Sequence, residues 1–334
     1  MGYINIKRAI LHILDTNINE PVLSEKEMFM DMEQNEFLER HIEKLIDDPN
    51  FKKCETADEN DDTKILIQGL NSENFIENSQ KIGQKFFDIM YSNPAIPPAD
   101  LLICTYECEN KNYIGILKFN YKTSYIHSFH MSEELKTTSI LKQKTTIANE
   151  KQKIDECILI EPESFKLQIK EKKYEVNGEM VNYLSEVFLD GVTDFSLKEK
   201  YNIIEKTTEK IVKEYYNDDV QKKSEIKNAI KESVEQTGTI NIEQVADKVF
   251  KNNENMKQNY ISQIKDEGFE EKEVEVTEAI ERKIAKKQKI KTDEGIEISI
   301  PSEILTDKSK IEFKMNDDGT MSIIIKAINS YSGK

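Results

Sequence analysis

The β-branched run Ile4, Ile6, Ile10 and Ile13 predicts a first strand over residues 3–14, although Leu11 and Leu14 also fit a helical period. Beyond it the spacing becomes helical. Met28, Met32, Phe37, Leu38, Ile42, Leu45 and Ile46 recur on one side, Ser24 and Glu27 form a capping box, and Asp48-Pro49-Asn50 stops the element. Residues 54–63 (CETADENDDT) read as an acidic loop. A second amphipathic helix is predicted over 72–91, with Phe75, Ile82, Phe86, Ile89 and Met90 on its apolar side and Pro94, Pro97 and Pro98 beyond its end. Residues 101–106 and 113–121 are the clearest strands. Glu109-Asn110-Lys111-Asn112 between them has turn chemistry and predicts a hairpin. Residues 125–131, 157–160 and 165–169 read as further strands.

From Asn177 the pattern is helical again, with candidates at 180–189, 197–216, 221–236 and 242–250, and a short fifth at 256–265. Gly238 marks a break and Asn241 fits an N-cap. Over 270–291 the charged sequence allows either a helix or a strand beginning at 273–276. Residues 296–300 alternate as a strand that Pro301 ends. Residues 311–315 and 321–328 form a second hairpin around Asn316-Asp317-Asp318-Gly319, with Asp-Gly as its turn signal. The predicted fold class is α+β: a mainly antiparallel sheet with helices over 1–175, a helical middle over 176–268, and a small β-rich module over 269–334.

The chain has 334 residues and a formal net charge of −16. No run approaches the roughly 18–20 apolar residues of a membrane span. The N-terminus does not read as a signal peptide, and Ile6 stands where a myristoylation signal wants Ser or Thr. Four cysteines without such a signal read as reduced thiols in a cytoplasmic protein. Glycine-rich phosphate loops, GxSxG and HExxH are absent from the sequence, so neither an enzyme nor a cofactor is expected.

Against this acidity stands one dense basic island, Arg282, Lys283, Lys286, Lys287, Lys289 and Lys291, and removing it leaves −22 on the rest. So acidic a chain meets a polyanion only through a local patch. The opposing possibility is a solvated helix in which the eight acids of 266–281 neutralise the island, Glu278 and Arg282 being an i,i+4 pair. A second basic zone holds Lys136, Lys142, Lys144, Lys151 and Lys153 among Thr and Ser, which suits a phosphate backbone. An exposed loop, or an edge strand guarded by lysine, explains it equally. Tyr113, Phe119, Tyr121 and Tyr125 near Lys111, Lys118 and Lys122 fit base stacking, and fit a buried strand better. Cys104, Cys108, His127 and His130 lack paired metal-site spacing, and Asp61-Asp62 and Asp218-Asp219 have no third ligand group, so no metal is expected.

Several segments occur together in one order: the opening RAILHILD with His12, ADLLICTYE…YIGILKFNY, the helix ending Phe188-Leu189-Asp190-Gly191, and IEISIPSEIL…KIEFKMNDDGTMSIIIKA. In this the chain resembles the bacterial nucleoid-associated protein family typified by NdpA, also called YejK. The resemblance implies a non-enzymatic DNA-binding protein of the nucleoid. Enterobacterial members are rich in Arg and Lys on entering the FF/FL-type helix, whereas residues 176–183 here (VNGEMVNY) contain no basic residue. The expectation is weak DNA binding without sequence preference through 282–291, helped by 136–153, in a homodimer. The alternative is an acidic adaptor that reaches the nucleoid through DNA-bound proteins: residues 1–100 hold 20 acids against 10 basic residues.

Overall fold

A computed structural model describes residues 3–56, 62–132, 135–217, 219–285, 288–305 and 307–330. The chain divides into two compact units, residues 1–194 and 195–334.

The first unit is built on an antiparallel sheet. Its strands are β1 (Ile4–Leu14), β2 (Lys52–Thr56), β3 (Ala99–Cys108), β4 (Lys111–Asn120), then, after the two strands β5 (Lys122–Ser132) and β6 (Leu135–Thr146) that lie outside it, β7 (Glu156–Glu161) and β8 (Lys166–Lys170). A small hairpin, β9 (Tyr174–Val176) and β10 (Glu179–Val181), precedes the edge strand β11 (Gly191–Thr193). The sheet order is β1-β3-β4-β7-β8-β2-β11. The predicted hairpin is present: β3 and β4 pair from Ala99↔Asn120 to Cys108↔Lys111, and Glu109 and Asn110 both take positive φ in its turn.

Among the described residues, three α-helices accompany the sheet: α1 (Met32–Ile46), α2 (Asp62–Gly69) and α3 (Phe75–Ser92). The central strands are buried on both faces, which explains their nearly unbroken apolar sequence. Leu101, Ile103, Ile116, Ile158 and Ile160 face α3 residues such as Phe75, Ile82 and Phe86. Leu102, Cys104, Leu117, Phe119 and Leu159 form the opposite core with Leu38, Ile42 and Leu45 of α1. Each fully buried side chain of this size contributes about 1.5–3 kcal/mol.

Three local expectations are corrected. The first helix starts at Met32, with Asp31 as N-cap and Gln34 closing the capping box. Ser24 instead fastens the chain to β1: its amide donates to His12 Nδ1 at 3.0 Å and its hydroxyl to the Leu11 carbonyl. Met28 then donates to the Ala9 carbonyl, so this segment runs beside β1, and the Ser24 and Met28 amides are committed to that strand and not to a helical turn. Part of the supposed acidic loop is β2, and residues 62–69 are α2; residues 57–61 lie outside the described residues. Where a helix was expected over 180–189 there is β10, then a π-helical turn, Tyr183–Phe188. Glu171 accepts from both the amide and the hydroxyl of Ser185, and Phe188 packs on Phe86 with ring centres 4.2 Å apart. At Gly191 a Cβ would meet the Glu55 carbonyl oxygen at 2.8 Å, so glycine lets β11 close on β2.

In the second unit, α4 (Leu197–Tyr215), α5 (Val220–Thr237), α6 (Ile242–Val249) and α7 (Glu254–Asp266) enclose Ile204, Ile211, Ile226, Val245, Tyr260 and Ile264. Ser196 caps α4 with a capping box closed by Glu199, Gly238 ends α5 in the left-handed conformation, and Asn241 caps α6 as predicted. Strands β12 (Thr239–Asn241) and β13 (Glu273–Glu275) pair beside them, and α8 (Glu278–Ile284) adds Ile280 and Ile284 to the core. Two further hairpins follow: β14 (Gln288–Lys291) with β15 (Glu297–Ile300), and, after α9 (Ser302–Leu305), β16 (Ile311–Met315) with β17 (Met321–Ile325). Ile300, Leu305 and Ile311 form their small core.

Candidate nucleic-acid interface

The basic island is divided by the fold. Arg282 lies on α8 in an i,i+4 pair with Glu278 at 2.8 Å, both largely exposed. Lys283 turns to α4: Nζ lies 2.9 Å from Glu205 Oε2 and Asn202 Oδ1, and 4.6 Å from the centre of the Tyr201 ring. Lys289 and Lys291 are exposed on β14, two residues apart on one face, with Ser299 and Glu297 directly opposite on β15. Lys286 and Lys287 lie outside the described residues. Helix α8 and strand β14 thus divide the four described charges of the island into two pairs. The acids that pair with Arg282 and Lys283 are Glu278 and Glu205, and Glu205 lies 78 residues from its lysine.

The second basic zone is mostly on a ribbon. β5 and β6 pair only with each other among the described residues, from Lys122↔Thr146 to Ser132↔Leu135, and form a two-stranded sheet. Lys136, Lys142 and Lys144 are exposed on β6, and no carboxylate lies within ion-pair distance of them among the described residues. Strand alternation places Tyr125, Phe129 and Met131 on the same face as Lys136, Ile140 and Lys142, with Tyr125 opposite Lys142 and Met131 opposite Lys136. Tyr125 is 66% exposed, Phe129 54%, Met131 70% and Ile140 76%. Lys151 and Lys153 lie beyond the ribbon; Lys151 is exposed, and Lys153 sits 3.9 Å from Asp48, which Lys170 holds at 2.8 Å.

The aromatic set divides in the same way. Phe119 is buried, Tyr113 stacks on Tyr106, and the Tyr121 hydroxyl donates to Asp100 at 3.0 Å, so these three belong to the packing of the first unit. Tyr125 alone of the four stands in solvent. Cys104 and Cys108 lie buried on β3, and burial pushes the Cys104 thiol up to about 12, away from the thiolate that a metal requires. His127 and His130 occupy opposite faces of the ribbon. No group of three or more His, Cys, Asp or Glu with metal-site geometry occurs among the described residues. Asp61 and Asp218 lie outside those residues.

Sequence reasoning missed one cationic row. Lys206, Lys210 and Lys213 recur at i, i+4 and i+7 on α4, all exposed and without an ion-pair partner among the described residues. The acids interleaved with them are engaged elsewhere: Glu205 with Lys283 and Lys227, Glu209 with Lys223. The spacing was visible in sequence, but the local abundance of Glu disguised it as a balanced helix. Nearby, a cleft of about 530 Å³ between α5 and the segment after α6 is lined by Tyr216, Glu225, Glu232, Lys248 and Phe250; Lys248 and Glu232 are ion-paired.

Among the described residues, no helix is long and apolar enough to cross a membrane. A family model described as nucleoid-associated protein YejK matches residues 10–332. The chain finds no match among curated proteins.

Proposed function

Because the chain belongs to the nucleoid-associated protein YejK family, we propose that it is a non-enzymatic, cytoplasmic DNA-binding protein of the nucleoid that acts as a homodimer. It holds DNA weakly and without sequence preference through the lysines of the β5–β6 ribbon. One observation supports this site above the 282–291 island: Lys136, Lys142 and Lys144 all stand exposed with no ion-pair partner among the described residues, whereas two of the island's charges, Arg282 and Lys283, are paired within their own chain. Ammonium groups on an exposed strand meet phosphates irrespective of base sequence. The ribbon's formal charge of +2 also sets it apart from a chain of −16. A homodimer doubles the cations presented and raises a weak site through effective concentration.

The test is binding to a labelled duplex across a salt series, comparing wild type with a K136E/K142E/K144E variant. Salt-sensitive binding that collapses in the variant supports the ribbon. Equal binding by both proteins moves the contact to Lys289 and Lys291 or to the α4 row. No binding by wild type at low salt overturns direct contact and favours the acidic adaptor.

A further inference from the structure

Among the described residues the ribbon has two open edges, and they differ in character. An open edge presents unpaired backbone N–H and C=O groups, and lysines along it discourage further strands from adding. β6 carries Lys136, Lys142 and Lys144. Between Lys122 and Ser132, β5 reads TSYIHSFHM, without a single Lys, Arg, Asp or Glu. β5 also brings Tyr125, Phe129 and Met131 to one face, each more than half exposed. A two-stranded ribbon on its own is marginal in water, and three or more strands are needed for independent stability.

We propose that β5 pairs edge to edge, antiparallel, with β5 of a second copy of this chain, forming a four-stranded sheet in the order β6-β5-β5-β6. This rests on the homodimer proposed above and names its interface. Charge selects the occupant. A strand that meets its own copy must tolerate itself: β5 brings only Lys122, at its very end, to that meeting, whereas β6 against β6 sets three lysines against three. An acidic partner strand would be drawn to β6 instead. A strand antiparallel to itself is an isologous contact that closes at two copies, and backbone hydrogen bonds of this kind hold added strands elsewhere. The two-fold axis stands normal to the sheet, so Tyr125, Phe129 and Met131 of both copies cluster at its centre on one face. The lysines of the two β6 strands form its outer borders.

The experiment uses the full-length chain, with mass read by light scattering after size exclusion. Wild type is expected at twice the chain mass. A Y125K/F129K variant, which gives β5 the lysine guard that β6 already has, is expected to be monomeric at the same concentration with an unchanged circular dichroism spectrum. Ile140→Lys, on the same face but on β6, should remain dimeric. Cysteine placed in turn at His127 and Ser128, beside the midpoint of β5, should give a disulfide-linked dimer on mild oxidation at one of the two. Ser139→Cys on β6 should not. The four native cysteines are buried and do not compete. A monomeric wild type overturns both the homodimer and this interface. A dimer that survives Y125K/F129K, or that neither β5 cysteine links, overturns the interface alone. Equal loss of the dimer in Ile140→Lys assigns the contact to the ribbon's face and overturns edge pairing.

Discussion

Lys283 Nζ lies 2.9 Å from Glu205 Oε2, with its ammonium over the Tyr201 ring. This contact joins α8 to α4 across 78 residues and pairs one charge of the densest basic run within the protein. Its side chain is 35% exposed and that of Glu205 28%. The lysine therefore acts as a brace between two helices of the second unit.

Replacing Lys283 with Ala should lower the stability of that unit by about 1 kcal/mol, the upper range for a partly exposed pair, with some lost packing on Tyr201. Urea unfolding measures the loss. Duplex affinity measured beside it should change less than twofold; a tenfold loss would return the DNA contact to the island.

The salt dependence of duplex binding should report the ribbon lysines quantitatively. Each phosphate contact contributes about −0.9 to the slope of log K against log salt, so K136E/K142E/K144E should flatten the slope by about 3 per chain. An Arg282→Glu variant should leave it nearly unchanged. A slope that is the same in wild type and the triple variant counts against phosphate contact by these lysines.

Acid sensitivity should trace in part to His12. It is fully buried on β1: Nδ1 accepts from the Ser24 amide, which leaves Nε2–H to donate to Ser79 Oγ at 3.1 Å. Burial lowers its pKa from 6.5 to about 4. The unfolded chain therefore binds a proton that the folded chain refuses. The stability is fully present above about pH 6.5 and is lost as pH falls through that window towards about 4. Thermal unfolding from pH 7 to pH 4 should show a melting temperature that falls less steeply in a His12→Gln variant. His41, also lowered chiefly by burial, supplies a residual slope of the same sign.

The buried pair of Lys118 and Glu156 should be costly to break from one side. Nζ and Oε2 are 3.1 Å apart with side chains 2% and 0% exposed, and Asn120 and Tyr174 also donate to that carboxylate. Lys118→Met leaves Glu156 buried without its countercharge and should cost about 3–5 kcal/mol in urea unfolding. A K118M/E156L double variant should recover part of that loss. Equal destabilisation by the single and double variants would show that the charge pair is not what the site depends on.

The apolar pattern determined the framework because burial acts position by position along a chain. The β3–β4 hairpin, the amphipathic α3, α4 and α5, the Asn241 cap and the Asp-Gly hairpin were all legible in local spacing. The family resemblance was legible in the order of these elements, and the match over residues 10–332 bears it out. What local spacing missed depended on partners far away. Ser24 carries a capping signal, yet β1 claims its amide and hydroxyl. β6 has few apolar residues to mark it, because neither of its faces meets a core. The candidate site was the least legible part, since a lysine's freedom is set by where carboxylates lie in space. Sequence could count the charges of the two basic zones. Only the tertiary structure could hold Lys283 against α4 while leaving Lys136, Lys142 and Lys144 exposed on a ribbon, because electrostatic pairing acts through distance in space and not along the chain.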